Sequence, residues 1–247
     1  MYLKTTGTYG NRVEVRKYHT VRYGKPGEPR SRRKKPTTEA MKKANARRRE
    51  DNLRRLMVAN FTEDDLHLTL TYRRELRPDE DTAKKHLKKF WVDLRRVYRK
   101  AGAELKYIAV TEQLTRAIHH HIVMNDPGIP NIAKLIRKLW KHGGYHVDAL
   151  YPDRDYSKLA SYFMKPEAGG EGQEEETPEE GRKKKYTCSR NLTQPVRKTE
   201  VIRANSWREK EPTVPKRLRD LGYVMECCTP KGKIDSFGYA YQSYIMV

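Results

Sequence analysis

The alternation of strand-like and helix-like patterns from His67 onward constrains the fold more than any other feature of the chain. Apolar residues recur first with the two-residue period of a strand and then with the 3.6-residue period of a helix. The predicted elements are, in order, strand His67–Tyr72, helix Asp79–Gly102, strands Lys106–Gln113 and Arg116–Met124, helix Asn131–His142, strand Tyr145–Leu150 and helix Asp155–Lys165. This order predicts an α+β fold, a ferredoxin-like or RRM-like antiparallel sheet with helices on one face.

Three consecutive histidines lie in the second of the two adjacent strands. Because alternate side chains of a strand share a face, His119 and His121 project together, whereas His120 points to the opposite face. The preceding strand ends near Glu112, and a hairpin would bring that carboxylate close to the imidazoles. Two imidazoles and one carboxylate suit a divalent cation that keeps positions open for water or phosphate. Glu112, His119 and His121 are therefore candidate metal ligands, and a half-buried histidine ladder is the alternative.

A tyrosine with lysines nearby lies on the last predicted helix. Asp155 is suited to the N-cap of this helix, and Pro166 follows its end. Lys158, Tyr162 and Lys165 are spaced so that all three fall on one side. Cations beside a phenol favour the phenolate, which is the nucleophilic form. Tyr162 is therefore a candidate nucleophile, although the same spacing would also fit a core tyrosine.

Three short motifs occur in a defined order along the chain. The first is Asp65-Leu-His-Leu-Thr-Leu-Thr-Tyr72, and the second is the pair His119 and His121 on one strand. The third is Tyr162-x-x-Lys165 on a helix, without a second tyrosine one turn away at 158 or 166. In this order the motifs resemble the HUH endonucleases that initiate rolling-circle replication of plasmids, phages and small circular genomes, in particular their single-tyrosine class. The family has an aliphatic residue where this chain has His120, and the resemblance covers roughly Phe61 to Pro166.

The resemblance implies an HUH endonuclease fold and a mechanism. Such an enzyme nicks and rejoins single-stranded DNA at a replication origin by transesterification, through a 5′-phosphotyrosyl intermediate. Glu112, His119 and His121 would hold Mg²⁺ or Mn²⁺, and Tyr162 would attack phosphorus. Lys165 would lower the pKa of the phenol or neutralise the phosphate. The residues expected to contact DNA near the cut are Thr69, Thr71 and Lys158.

The charge of the chain indicates a polyanionic partner. The formal net charge is +21, and the first 60 residues contribute +13 of it, from eighteen Lys/Arg against five Asp/Glu. Residues 1–36 are predicted to be a basic flexible arm, followed by one endonuclease domain at 37–247 that begins with a basic helix at 37–60. Within that domain, 167–185 is predicted to be a disordered charged insertion, and the role of the strands after it stays open. The basic residues expected to contact DNA in the arm are Arg32, Arg33, Lys34 and Lys35.

Absent motifs narrow the function further. No Gly-x-x-x-x-Gly-Lys-Ser/Thr loop occurs, so the chain carries no recognisable ATP motor, and a host helicase and polymerase are expected as partners. The three cysteines have no zinc-site spacing, and no apolar run is long enough to span a bilayer. The expected location is the cytoplasm of a bacterial host cell, with no membrane partner.

Three alternative functions stay open on these residues. A conjugative relaxase or a single-strand transposase would use the same chemistry at a different target. A non-catalytic module of similar sheet topology would bind single-stranded nucleic acid through stacking aromatics. An iron oxygenase also uses two histidines and a carboxylate, but its ligands usually occur as His-x-Asp/Glu with a distant histidine.

Overall fold

A computed structural model describes residues 1–20, 39–114, 117–165, 186–203, 206–235 and 237–247. The helices and strands are, in chain order, β1 Tyr2–Tyr9, β2 Arg12–His19, α1 Glu39–Asn60, β3 Leu66–Thr71, a 3₁₀ turn Arg74–Leu76, α2 Glu80–Lys100, β4 Tyr107–Leu114, β5 Ala117–Met124, α3 Ile132–Leu139, β6 Tyr145–Ala149, α4 Ser157–Phe163, β7 Thr187–Cys188, β8 Val196–Ile202, α5 Lys216–Arg219, β9 Met225–Cys228 and β10 Gln242–Met246.

The chain divides into two compact units rather than one domain preceded by an arm. The central unit is Lys43–Thr193, and the terminal unit combines Met1–Lys42 with Gln194–Val247. Within the described part of the chain, no helix is both long and apolar enough to cross a membrane.

The central unit contains the predicted ferredoxin-like sheet. Its strand order is β6-β3-β5-β4-β7, and every neighbouring pair is antiparallel. The first four strands, with α2 after β3 and α3 after β5, reproduce the β-α-β-β-α-β arrangement predicted from the periodicity, which confirms the α+β class. Helix α2 begins where the sequence indicates, because the Asp79 carboxylate accepts a hydrogen bond from the Thr82 backbone N–H at 2.7 Å.

The core of the central unit lies on one face of this sheet. Alternate residues of β3 point into it, and the apolar stripe of α2 packs against them. Its members include Leu66, Leu68 and Leu70 of β3, Leu87, Phe90, Trp91, Leu94 and Tyr98 of α2, and Ile136 of α3. The intervening residues of β3, His67, Thr69 and Thr71, therefore project from the opposite face, which is the face of His119 and His121.

The terminal unit is a second antiparallel sheet, in the order β8-β1-β2-β10-β9. Its small core joins Val13 and Val15 of β2 to Tyr244 and Met246 of β10, with Leu218 of α5 packed against them. The C-terminal strands whose role stayed open thus pair with the N-terminal hairpin.

The prediction of a flexible arm at 1–36 is wrong for its first half, since residues 2–9 and 12–19 form β1 and β2. Both segments are rich in Thr, Tyr and Val, which favour strands, and Gly10 adopts the left-handed φ of 56° that begins the turn between them. The basic helix predicted at 37–60 is α1 at Glu39–Asn60. The second half of the arm, with Arg32, Arg33, Lys34 and Lys35, and the insertion at 167–185 lie outside the described residues.

Candidate active site

Adjacent strands bring the predicted metal ligands to one face of the central sheet. Glu112 of β4 lies directly opposite His119 of β5 in the strand register. His121, two residues along β5, lies opposite Thr69 of β3 on its other side. The hairpin anticipated from the sequence therefore exists, and it places the carboxylate beside both imidazoles on the face away from α2.

Helix α4 brings the candidate nucleophile to the same place. The Tyr162 hydroxyl donates a hydrogen bond to Glu112 Oε2 at 2.7 Å and lies 3.0 Å from His121 Nε2. Glu112 Oε2 and His121 Nε2 are themselves 3.3 Å apart. The ring of Phe163, the next residue, packs near His121 with ring centroids 6.4 Å apart. Three side chains from β4, β5 and α4 thus converge on one hydroxyl.

The surroundings of Tyr162 hold its proton rather than releasing it. Burial, the hydrogen bond to Glu112 and the negative charge of that carboxylate raise the pKa of Tyr162 to about 12. The expectation that nearby lysines lower this pKa is wrong in the structure as it stands. Lys165 Nζ lies over the tyrosine ring, 5.1 Å from its centroid, and is exposed, so solvent screens its charge. Lys158 is also exposed and is one turn from Tyr162 on α4.

Thr69 has a role that the sequence did not indicate. It was expected to contact DNA, but its Oγ1 lies 3.3 Å from Nδ1 of His121. A hydroxyl can donate or accept, so Thr69 can support either tautomer of the ring. A partner on the far ring nitrogen is what orients a histidine that acts through its other nitrogen. Thr71, the second expected DNA contact, lies opposite His119 in the register.

His67 is a further member of the site that the motif analysis overlooked. Its ring stacks on His121, with centroids 5.8 Å apart and planes 25° apart. Its Nε2 is buried and has no hydrogen-bond partner among the described residues. Burial, with a smaller contribution from His121, lowers the pKa of His67 to about 4, so the ring is neutral at physiological pH. The available signal was its position, since it alternates with Thr69 and Thr71 on the same strand face.

His120, by contrast, belongs to the core on the other face, as the alternation predicts. Its side chain is fully buried, with Nε2 3.0 Å from the Tyr72 hydroxyl and Nδ1 2.9 Å from Thr111 Oγ1. Its ring also meets the Trp140 ring edge-on at 5.7 Å. Both ring nitrogens are therefore used in holding the core together.

The donor set of Glu112, His119 and His121 is chemically suited to a divalent cation. His119 Nδ1 is buried and has no hydrogen-bond partner among the described residues. Carboxylate oxygen and imidazole nitrogen are ligands that Mn²⁺ accepts, and Mg²⁺ takes the carboxylate. In the described part of the chain, however, no three His, Cys, Asp or Glu side chains form a ready-made ligand group. The metal site therefore stays a prediction.

Comparison with known proteins gives one match. Residues 65–167 match a family model of replication-associated proteins, the ORF2 type. No curated protein and no solved structure matches the chain. The matched segment covers less than half of the 247 residues, but it contains all three motifs and every side chain of the site described above. The match supports a role for this chain as a replication initiator.

Proposed function

We propose that this chain starts rolling-circle replication by nicking and rejoining single-stranded DNA at an origin, with Tyr162 as the nucleophile. The observation that carries the proposal is the convergence of Tyr162, Glu112 and His121 within 3.3 Å of one another. These residues lie on three different elements and were selected from the sequence for separate reasons. A core tyrosine would have no need of a carboxylate and an imidazole at its hydroxyl.

In the proposed reaction the Tyr162 oxygen attacks the phosphorus of the scissile phosphodiester. The bond between phosphorus and the 3′-oxygen breaks, which leaves a 5′-phosphotyrosyl link and a 3′-hydroxyl. The phenol proton leaves through its hydrogen bond to Glu112, the nearest acceptor, and the departing 3′-oxygen gains a proton. One phosphodiester is exchanged for another, so a later attack by a 3′-hydroxyl rejoins DNA without ATP.

The other side chains have distinct roles in this proposal. Glu112, His119 and His121 would hold Mg²⁺ or Mn²⁺, which supplies positive charge beside a non-bridging oxygen of the scissile phosphate. Thr69 orients the His121 ring through its Nδ1. Lys165, exposed beside the Tyr162 ring, is placed to neutralise the phosphate.

The family match favours replication over the related activities. A relaxase or a single-strand transposase would act through the same tyrosine, but the matched family model describes replication-associated proteins. A host helicase and polymerase are the partners that such an initiator needs, since the sequence has no ATP-binding loop of the P-loop type. The site of action would be the cytoplasm of a bacterial host cell.

The test is covalent capture of the nucleophile. The protein is incubated with single-stranded oligonucleotides from its own replicon and Mn²⁺, and adducts that survive SDS are collected. The adduct should map to the peptide containing Ser161-Tyr162-Phe163, and Tyr162→Phe should bind DNA but form no adduct. Tyr156→Phe is the matched control, because Tyr156 is a buried tyrosine beside the same helix whose hydroxyl bonds the Phe61 carbonyl oxygen at 3.4 Å.

Two outcomes would contradict the proposal. Adduct formation by Tyr162→Phe at the normal rate would remove Tyr162 from the reaction. Mapping of the nucleotide to Tyr156 would show that the helix presents a different tyrosine to DNA.

A further inference from the structure

The hairpin that joins β9 to β10 exposes an aromatic side chain in the terminal unit. Phe237 leaves 83% of its surface accessible, more than any other large hydrophobic residue in the described part of the chain. A phenyl ring left in water contributes nothing to the hydrophobic stabilisation of the fold. Ile234 and Tyr239 of the same hairpin are also exposed, so the three form the apolar side of its tip.

The turn that carries Phe237 is held firmly by its own hydrogen bonds. The Asp235 carboxylate accepts from the backbone N–H of Phe237 at 2.9 Å and of Tyr239 at 3.0 Å. The Asp235 N–H donates to the Tyr239 carbonyl oxygen at 2.8 Å, and Gly238 adopts the left-handed φ of 81° that the turn requires. The backbone at Phe237 therefore has little conformational freedom to lose when the ring binds something.

Aromatic contacts fix the base of the hairpin to the terminal sheet. The Tyr239 ring stacks on His19 of β2, with centroids 3.8 Å apart and planes 19° apart. His19 in turn meets the Tyr2 ring of β1 edge-on at 5.1 Å. The exposed tip is thus an extension of a packed sheet.

The opposite arm of the hairpin carries positive charge. Lys231 and Lys233 are exposed, and neither has an ion-pair partner among the described residues. The one acidic residue between Thr229 and Tyr241 is Asp235, whose carboxylate is used in the turn. An exposed ring beside two unpaired ammonium groups combines an apolar surface with attraction for a polyanion.

We propose that the hairpin Thr229–Tyr241 is a binding surface for single-stranded DNA, with Phe237 stacking on an unpaired base and Lys231 and Lys233 contacting phosphates. Aromatic stacking combined with basic side chains is how proteins hold single strands without reading sequence. The identity of the strand as DNA rests on the proposed function. Phe237 should not favour a duplex, because duplex bases already stack on one another.

The test measures binding by the full chain in the Tyr162→Phe background, so that the DNA stays intact whether or not Tyr162 is the nucleophile. A fluorescent single-stranded oligo-dT and a duplex of equal length are titrated by anisotropy. Phe237→Ala should weaken single-strand binding about tenfold and leave duplex binding within about twofold. Phe237→Trp should bind the single strand at least as well as the parent. The matched control is Leu221→Ala, which truncates another exposed apolar residue of the terminal unit and should change nothing.

The salt dependence tests the lysines separately. Lys231→Gln with Lys233→Gln should reduce the slope of log affinity against log salt by about 1.4 for the single strand, because two phosphate contacts are lost. Phe237→Ala should leave that slope unchanged. The proposal is overturned if Phe237→Ala binds the single strand like Leu221→Ala, or loses single-strand and duplex affinity equally. Normal DNA binding by Phe237→Ala would instead indicate a protein partner for the exposed ring.

Discussion

Replacing His120 should separate the structural histidine from the two proposed to act in the site. His120→Ala removes a ring that is 0% exposed and that bonds Tyr72 and Thr111 through its two nitrogens. Each buried hydrogen bond lost costs about 1 kcal/mol, and the cavity and lost packing against Trp140 add about 2 kcal/mol. The free energy of unfolding should therefore fall by about 4 kcal/mol.

The control for this change is His119→Ala. The Nδ1 of His119 has no hydrogen-bond partner in the described structure, so its truncation should cost less than about 1 kcal/mol of stability. The two variants should differ in the opposite sense in activity. His119→Ala and His121→Ala should lose DNA cleavage, whereas His120→Ala should cleave normally at a temperature where it is folded.

Urea unfolding followed by circular dichroism gives the stabilities, and adduct formation at about 10 °C, where unfolding is slow, gives the activity of the folded protein. His120→Gln is a second variant that keeps polar atoms in the core and should be less destabilised than His120→Ala. The reasoning is refuted if His120→Ala is as stable as the wild type. It is equally refuted if folded His120→Ala fails to cleave.

Three further predictions concern the central unit. Thr69→Val, which keeps the shape but removes the partner of His121 Nδ1, should weaken Mn²⁺-dependent cleavage by about 10- to 100-fold, and Thr69→Ser should restore it; equal rates for Val and Ser would contradict the orienting role. Burial lowers the pKa of His67 and of His120 to about 4, so the unfolded chain gains these protons below pH 6.5 while the folded chain does not. Between about pH 7.5 and pH 5 in EDTA, each should therefore reduce the unfolding free energy by up to about 2 kcal/mol, measured by urea titration, and a stability that rises as the pH falls over this range would be inconsistent with neutral buried rings. Gly143→Ala should lower the melting temperature, because its Cβ would lie 2.2 Å from the Thr71 carbonyl oxygen, whereas Gly128→Ser, at an open loop position with a left-handed φ of 70°, should cost only its backbone strain.

The sequence by itself determined the order of elements in the central unit and the face on which each histidine lies. Both follow from local periods, about 2.0 for strands and about 3.6 for helices, and local periods can be read without knowing what is distant in the chain. The four ferredoxin-like strands, the core stripe of α2 and the separation of His120 from its neighbours were therefore predictable.

The tertiary structure decided what depends on long-range contact. Tyr162 and Glu112 are 50 residues apart, and only the packing of α4 shows that the carboxylate, rather than a lysine, governs the phenol, which raises its pKa instead of lowering it. The contact of Thr69 with His121 joins residues 52 positions apart. The N-terminal strands looked like an arm because their pairing partners, β8 and β10, lie at the other end of the chain. A strand is completed by hydrogen bonds to its neighbours, and no local pattern names those neighbours.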